Sequence, residues 1–494
     1  MSGIRRALLL TTSAQYFGMA VQFALMAAVS RLLTPGEVGV SVVGTWIIAV
    51  AFSLREFATS DFLVQRKEVT REDVRTSFTL LLGLTALIAA AIFALASSIA
   101  GYYRQDGLSR FLCVIAAAAF LEVIQFPIIA LLRREMAFGT LALISMASVT
   151  ISAIVTLTLA ALGFSYMSIA WAWLGGAATT TVIALYLRPH LWIFRPSLSS
   201  WRACLTFGSY NGATILLQKV YEALPQLVLG RILPLSAVGL YNRANLVCGI
   251  AERIILSQVF SVAMPAFAAM ARQGHSVKQP YLRAISYITV IHWPAAVVLA
   301  LLAHPIVMLV LGRQWISIVP LVQIMSVAYL FFTPVTLTGQ VLVALGAIRH
   351  NFISSLIARP ITVLVLCIAS FFGLTALAAS QFLVVPFQLY MVLHFIRLHV
   401  PFRWDELAAA VWKSALVTAC SAAGPVAVMA VAGFRSNLSI GGAVVGGLLA
   451  VICWAGGVWV TRHPMLIEIQ RVFGAMERSS LGQQMIGAGS RFYR

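Results

Sequence analysis

Residues 31–40 read RLLTPGEVGV, and residues 231–240 read RILPLSAVGL. At an offset of 200 the pairs Arg31/Arg231, Leu33/Leu233, Val38/Val238 and Gly39/Gly239 are identical. Each stretch follows one apolar run long enough to cross a bilayer and precedes another, so the copies hold the same place in two successive blocks of helices. Gln22 and Glu222 also fall in register, which puts a polar side chain at the same depth in both. Self-similarity at a fixed offset is the mark of a duplicated unit. With six spans between the copies, both enter the membrane in the same direction. They are parallel repeats related by an axis along the membrane normal, a construction found in secondary transporters.

Composition agrees with that reading. The 494 residues are 61% hydrophobic and only 10% charged, with a mean hydropathy of +0.94. A soluble chain carries about 25% charged residues to coat its surface; this one cannot, and disorder, coiled coil and collagen are excluded with it. A bilayer core needs ~20 apolar residues per helix. Punctuated by charge, the chain divides into spans near 8–30, 38–58, 77–100, 111–132, 140–162, 165–187, 203–229, 237–263, 284–311, 318–345, 352–372, 374–396, 411–433 and 438–461. These runs far exceed the ~10 alternating residues of a barrel strand.

The expected fold is an all-α polytopic membrane protein of fourteen helices, or twelve if two are mis-split: two six-helix bundles related by pseudo-two-fold symmetry around a central cavity, plus two C-terminal helices. The expected boundaries are 1–188 for the first bundle, 189–202 for a cytoplasmic linker, 203–398 for the second bundle, 399–461 for helices 13 and 14, and 462–494 for a cytoplasmic tail.

The formal charge of +19, from 34 Lys and Arg against 15 Asp and Glu, reports topology rather than nucleic-acid binding, since no basic run is interleaved with aromatics. With the N-terminus inside, 24 cations, Arg55 among them, fall in cytoplasmic segments and 6 outside, the bias of the positive-inside rule. Both termini are then cytoplasmic. The first run is too long for a signal peptide and contains Gln15 and Gln22, so it reads as a retained helix. The six cysteines form no CxxC pair, no HExxH occurs, and no glycine precedes a lysine, which excludes a Walker A loop. No metal and no cofactor is expected.

Charge within a bilayer costs about 2.5–3.5 kcal/mol per residue and therefore faces protein or water. In the seventh span Asn211, Gln218, Glu222 and Gln226 share one helical face, with Lys219 placed to pair with Glu222. The eighth span carries Asn242, Arg243, Asn245, Glu252 and Arg253. With Gln22 and Arg359, these residues read as the lining of an aqueous lumen; interhelical hydrogen bonding is the structural alternative. Lys219, Arg243, Arg253 and Arg359 could neutralise an anion, or Lys219 could pair with Glu222 and Arg253 with Glu252 or a neighbouring helix. Glu122, Glu222 and Glu252 are the carboxylates that could take up a proton or sodium, or pair structurally. The GxxxG spacing of Gly442 and Gly446 reads as close helix packing.

VSRLLTPGEVG from Val29 and FGSYNGATILLQKVYEALPQLVLGRILPLSAVGLYNRANLV from Phe207 resemble the Wzx-type oligosaccharide flippases, in the polysaccharide transport branch of the multidrug/oligosaccharidyl-lipid/polysaccharide superfamily, through about residue 400. The resemblance is greatest to members that handle succinoglycan-type exopolysaccharide. It implies a non-enzymatic flippase of the bacterial inner membrane that moves a polyprenyl-pyrophosphate-linked repeat unit outward by alternating access. The implied partners are the lipid-linked oligosaccharide, membrane lipid, and the polymerase and chain-length or export proteins of the same pathway. A multidrug or cation antiporter of that superfamily would favour an acidic cavity, whereas four intramembrane cations stand here against three anions. A polysaccharide polymerase would need a sizeable external loop, and the longest expected here is about ten residues, from Gly101 to Arg110.

Overall fold

The computed structural model describes residues 2–58, 63, 69–433, 438–468 and 470, and at a few of these, among them 2–9, 211 and 251–265, the backbone alone. Every described element is a helix. In chain order these are α1 Ser2–Leu32, α2 Pro35–Ser53, α3 Arg71–Tyr102, α4 Gly107–Arg134, α5 Phe138–Ala161, α6 Met167–Leu187, α7 Trp201–Ile232, α8 Leu235–Arg272, α9 Lys278–Leu301, α10 Ala303–Val310, α11 Val319–Ala328, α12 Phe332–Ala344, α13 Ile348–Ser370, α14 Leu374–Ala379, α15 Gln381–Ile396, α16 Trp404–Val431 and α17 Ile440–Val460. Eleven stretches among the described residues are long and apolar enough to cross a bilayer. Together with α1, α7 and α8 they occupy each of the fourteen spans expected from the sequence.

Local chemistry sets the helix ends. Thr34 caps α2: its hydroxyl accepts from Glu37 N, and the Glu37 carboxylate accepts from Thr34 N at 2.7 Å, a reciprocal box that satisfies two otherwise orphaned donors. Pro35 at the first helical position costs nothing there, because its missing N–H would have had no partner. The second copy has Pro234 in place of Thr34 and no such box. Pro127, Pro225, Pro294, Pro386 and Pro425 lie inside continuous helices, each removing one ladder hydrogen bond. The tenth span is broken into α11, a 3-10 turn at Tyr329–Phe331, and α12, which has Pro334 in its first turn.

The chain forms two compact units. The first comprises Met1–Asn242, Val310–Trp315 and Leu366–Leu374; the second comprises Arg243–Leu309, Ile316–Val365 and Thr375–Arg494. The first unit thus runs past the expected linker to take in α7.

Within the first unit the duplicated segments meet. A Cβ on Gly39 would stand 1.8 Å from the Leu235 carbonyl oxygen, and one on Gly239 would stand 2.1 Å from that of Pro35. Residues 35 and 235 correspond at the same offset of 200, so the contact is reciprocal, as a local two-fold axis requires. Only a residue without a side chain permits backbones this close. The last carbonyls of α1, lacking helical donors, are capped by the segment at 310–315: Gln314 Nε2 donates to Leu33 O at 3.0 Å and Trp315 Nε1 donates to Ser30 O at 2.6 Å. Tyr103, just past α3, donates to Leu227 O at 3.2 Å, and burial pushes its phenol up to about 12.

In the second unit α9 packs against α16, and α16 against α17. Gly424 brings α16 onto the backbone of Leu449 and Ala450, and a Cβ on Gly446 would meet Leu302 and Pro425 at 3.6 Å. This is close packing of the kind that the GxxxG spacing led us to expect. A buried polar knot ties these helices to the turn after α17. His463 Nδ1 accepts from Met465 N, and Nε2 lies 3.0 Å from Ser286 Oγ and 3.2 Å from Ser414 Oγ. The ring is 1% exposed. Burial, with the charge of Lys413 adding to it, pulls its pKa down to about 4, so it stays neutral.

Candidate functional site

Helix α7 runs beside α2 and the 3-10 turn Leu54–Ala58 that follows it. Gly212 permits the approach: a Cβ there would stand 2.9 Å from the Phe57 ring. Gln218, Glu222 and Gln226 recur every four residues along α7 and so line up on one face. Gln218 Nε2 donates to Glu222 Oε1 at 2.8 Å, and Lys219 Nζ donates to Glu222 Oε2 at 2.8 Å. The Lys219 and Glu222 side chains remain 38% and 36% exposed. Lys219 Nζ also lies 6.0 Å from the ring centre of Trp46 on α2. Gln226, one turn further, is buried, and its Oε1 has no hydrogen-bond partner among the described residues.

These side chains sit near the middle of a 32-residue helix. An ion pair at that depth with a third of its surface uncovered cannot rest against acyl chains, where charge is excluded. It faces water, a polar ligand or protein. Lys219 and Glu222 do pair, as one of the two sequence readings held, and they do so without being buried.

A second polar centre lies elsewhere in the first unit. Arg55, in the turn after α2, bonds Glu122 of α4 at 2.7 Å, the two side chains being 11% and 15% exposed. The other Glu122 oxygen accepts from Trp173 Nε1 of α6 at 2.8 Å. The guanidinium stands 4.4 Å from the Phe52 ring centre and 5.4 Å from that of Phe126, a cation–π arrangement. Glu122 therefore has both oxygens engaged. The sequence reading counted Arg55 among the cytoplasmic cations and gave it no partner; the structure pairs it with Glu122.

The remaining candidates are distributed over both units. Gln22 is exposed on α1, and Asn242 is half-buried at the end of the first unit. In the second unit Arg243 is buried, Asn245 accepts from the Tyr329 hydroxyl, and Arg359 is half-buried on α13 beside Pro360. The side chains of Asn211, Glu252 and Arg253 lie outside the described residues. Sequence reasoning missed Trp46. Its signal was its position, since an indole at mid-span departs from the usual place of Trp at the membrane interface.

Comparison with known proteins places this architecture. The polysaccharide biosynthesis protein family matches residues 28–320, a stretch that holds both copies of the repeat. The lipopolysaccharide biosynthesis protein WzxC of Escherichia coli K12 is 25% identical over 66% of this chain and 67% of its own length. The succinoglycan biosynthesis transport protein ExoT of Rhizobium meliloti is 25% identical over 64% of each. The chain thus spans about two-thirds of the length of these relatives. Among solved structures, the lipid II flippase MurJ in an inward closed conformation matches with a TM-score of 0.70 at 11% identity, over 93% of this chain and all of that one. The chain belongs to the polysaccharide biosynthesis protein family and has the fold of a MurJ-like transporter.

Proposed function

We propose that this member of the polysaccharide biosynthesis family is a flippase that carries polyprenyl-pyrophosphate-linked exopolysaccharide repeat units across the bacterial inner membrane by alternating access, with both termini cytoplasmic. The match to the family across residues 28–320 carries the reading. The partly exposed group Gln218–Lys219–Glu222 supports it, because a sugar head crossing the bilayer needs polar side chains at mid-depth. A succinoglycan-type repeat unit is the specific substrate proposed, by likeness to ExoT. The buried Arg243 and the half-buried Arg359, with Arg253, would attract the pyrophosphate. Of the candidate coupling carboxylates, Glu222 suits that role better than Glu122, because the Lys219–Glu222 pair is 38% and 36% exposed whereas the Arg55–Glu122 pair is 11% and 15% exposed.

The test is the fate of the lipid-linked repeat unit in cells lacking the gene. We expect secreted polymer to disappear while repeat units accumulate on the cytoplasmic leaflet. Normal export, or repeat units stranded unpolymerised on the outer leaflet, would overturn the proposal.

A further inference from the structure

Building on the translocation reading, we propose that Trp46, Gln218, Lys219 and Glu222 form a platform that holds the sugar rings of the substrate, not its pyrophosphate. Trp46 stands at the midpoint of the Pro35–Phe57 span. An indole is favoured at membrane interfaces, where its amphipathic ring meets head groups; this one lies at mid-span, half-buried, with Lys219 Nζ 6.0 Å from its ring centre and part of its surface open. The C–H face of a pyranose fits that open part. Sugars present an apolar face and an edge of hydroxyls, and the groups beside Trp46 fit that edge. The Glu222 carboxylate accepts from hydroxyls, and the Gln218 amide both donates and accepts.

Charge decides between sugar and phosphate. Lys219 is paired with Glu222 at 2.8 Å and Gln218 is neutral, so the cluster carries no net charge. A pyrophosphate is bound by uncompensated cations, above all by arginine forks; the one cation among these four side chains, Lys219, is paired. Hydrogen-bonding amide and carboxylate groups next to an aromatic ring are the chemistry of polyol recognition. The cation–π contact at 6.0 Å is at the outer limit for such a pair, so Lys219 stands beside the ring without being pressed onto it.

The experiment uses the full-length protein in lipid nanodiscs with two probes: lipid-linked oligosaccharide extracted from cells that carry this gene, and sugar-free undecaprenyl pyrophosphate. Trp46→Ala should weaken binding of the glycosylated probe by about tenfold, through loss of aromatic stacking and buried area, and leave the sugar-free probe within about twofold. Trp46→Phe, which keeps a ring, should lose less than about threefold. Gln218→Ala should follow Trp46→Ala in sparing the sugar-free probe. Equal losses on both probes, or no loss in Trp46→Ala, would overturn the platform while leaving the flippase reading intact. A wild-type protein that binds neither probe would overturn both.

Discussion

Two ion pairs in the first unit differ in a way that separates structure from function. Arg55–Glu122 joins α4 to the turn after α2, is 11% and 15% exposed, and is closed by the Trp173 indole and two phenyl rings. Lys219–Glu222 joins neighbours three residues apart on one helix and is 38% and 36% exposed. The first bridges sequence separations that only the folded chain brings together; the second would form on an isolated helix. A pair that bridges helices and excludes solvent holds the fold, and removing one partner strands a buried charge. A pair that the helix makes with itself contributes little to stability, so its position at mid-membrane depth has to be explained by what it meets there.

The most severe test of this contrast is Arg55→Ala. Leaving Glu122 buried and unpaired should cost about 3–5 kcal/mol, read as loss of folded protein and a lower unfolding temperature in detergent. A variant as stable as the wild type would erase the distinction. Exchanging the partners sharpens it. Arg55→Glu with Glu122→Arg should fail to recover stability, because Trp173 needs an acceptor at position 122. Lys219→Glu with Glu222→Lys should remain folded and lose export.

Acidification should affect the buried polar knot next. His463 has a folded pKa near 4 against about 6.5 in an unfolded chain. Between those values the unfolded chain binds the proton more readily. The contribution of His463 is therefore fully present above about pH 6.5 and is lost as pH falls toward 4. Thermal unfolding at pH 7.5 and pH 5 should show a decrease that His463→Gln makes smaller. An equal decrease in both would assign it to other groups. The smallest stability effect belongs to Glu222→Gln, within about 1 kcal/mol, accompanied by a large fall in polymer export. A large stability loss with export per molecule unchanged would make this pair structural as well.

Much of this molecule could be read from its residues. Span positions followed from apolar length, and the likeness of the two copies followed from RLLTPGEVGV and RILPLSAVGL. The Lys219–Glu222 pair was visible because helical spacing alone brings those residues together. Arg55–Glu122 was not, since its partners are 67 residues apart, and a single arginine at the end of a span is indistinguishable by composition from a topological one. Trp46 escaped for a related reason: the charged side chain it meets, Lys219, is on α7, far away in sequence. Gly39 and Gly239 were noticed as an identity, but nothing in the sequence said that they face each other.

That mutual contact has a consequence for descent. When each copy's glycine rests on the other copy's carbonyl, a half-length ancestor could have made the same contact with a second copy of itself, as symmetric dimers do. One mutation in such an ancestor would have struck the interface twice, which gives selection a doubled hold on a single codon. After fusion the two positions became separate genes' worth of sequence in one frame, free to acquire different neighbours, as Thr34 and Pro234 have done. They were not free to grow, because an added methyl on either side meets the same unyielding backbone.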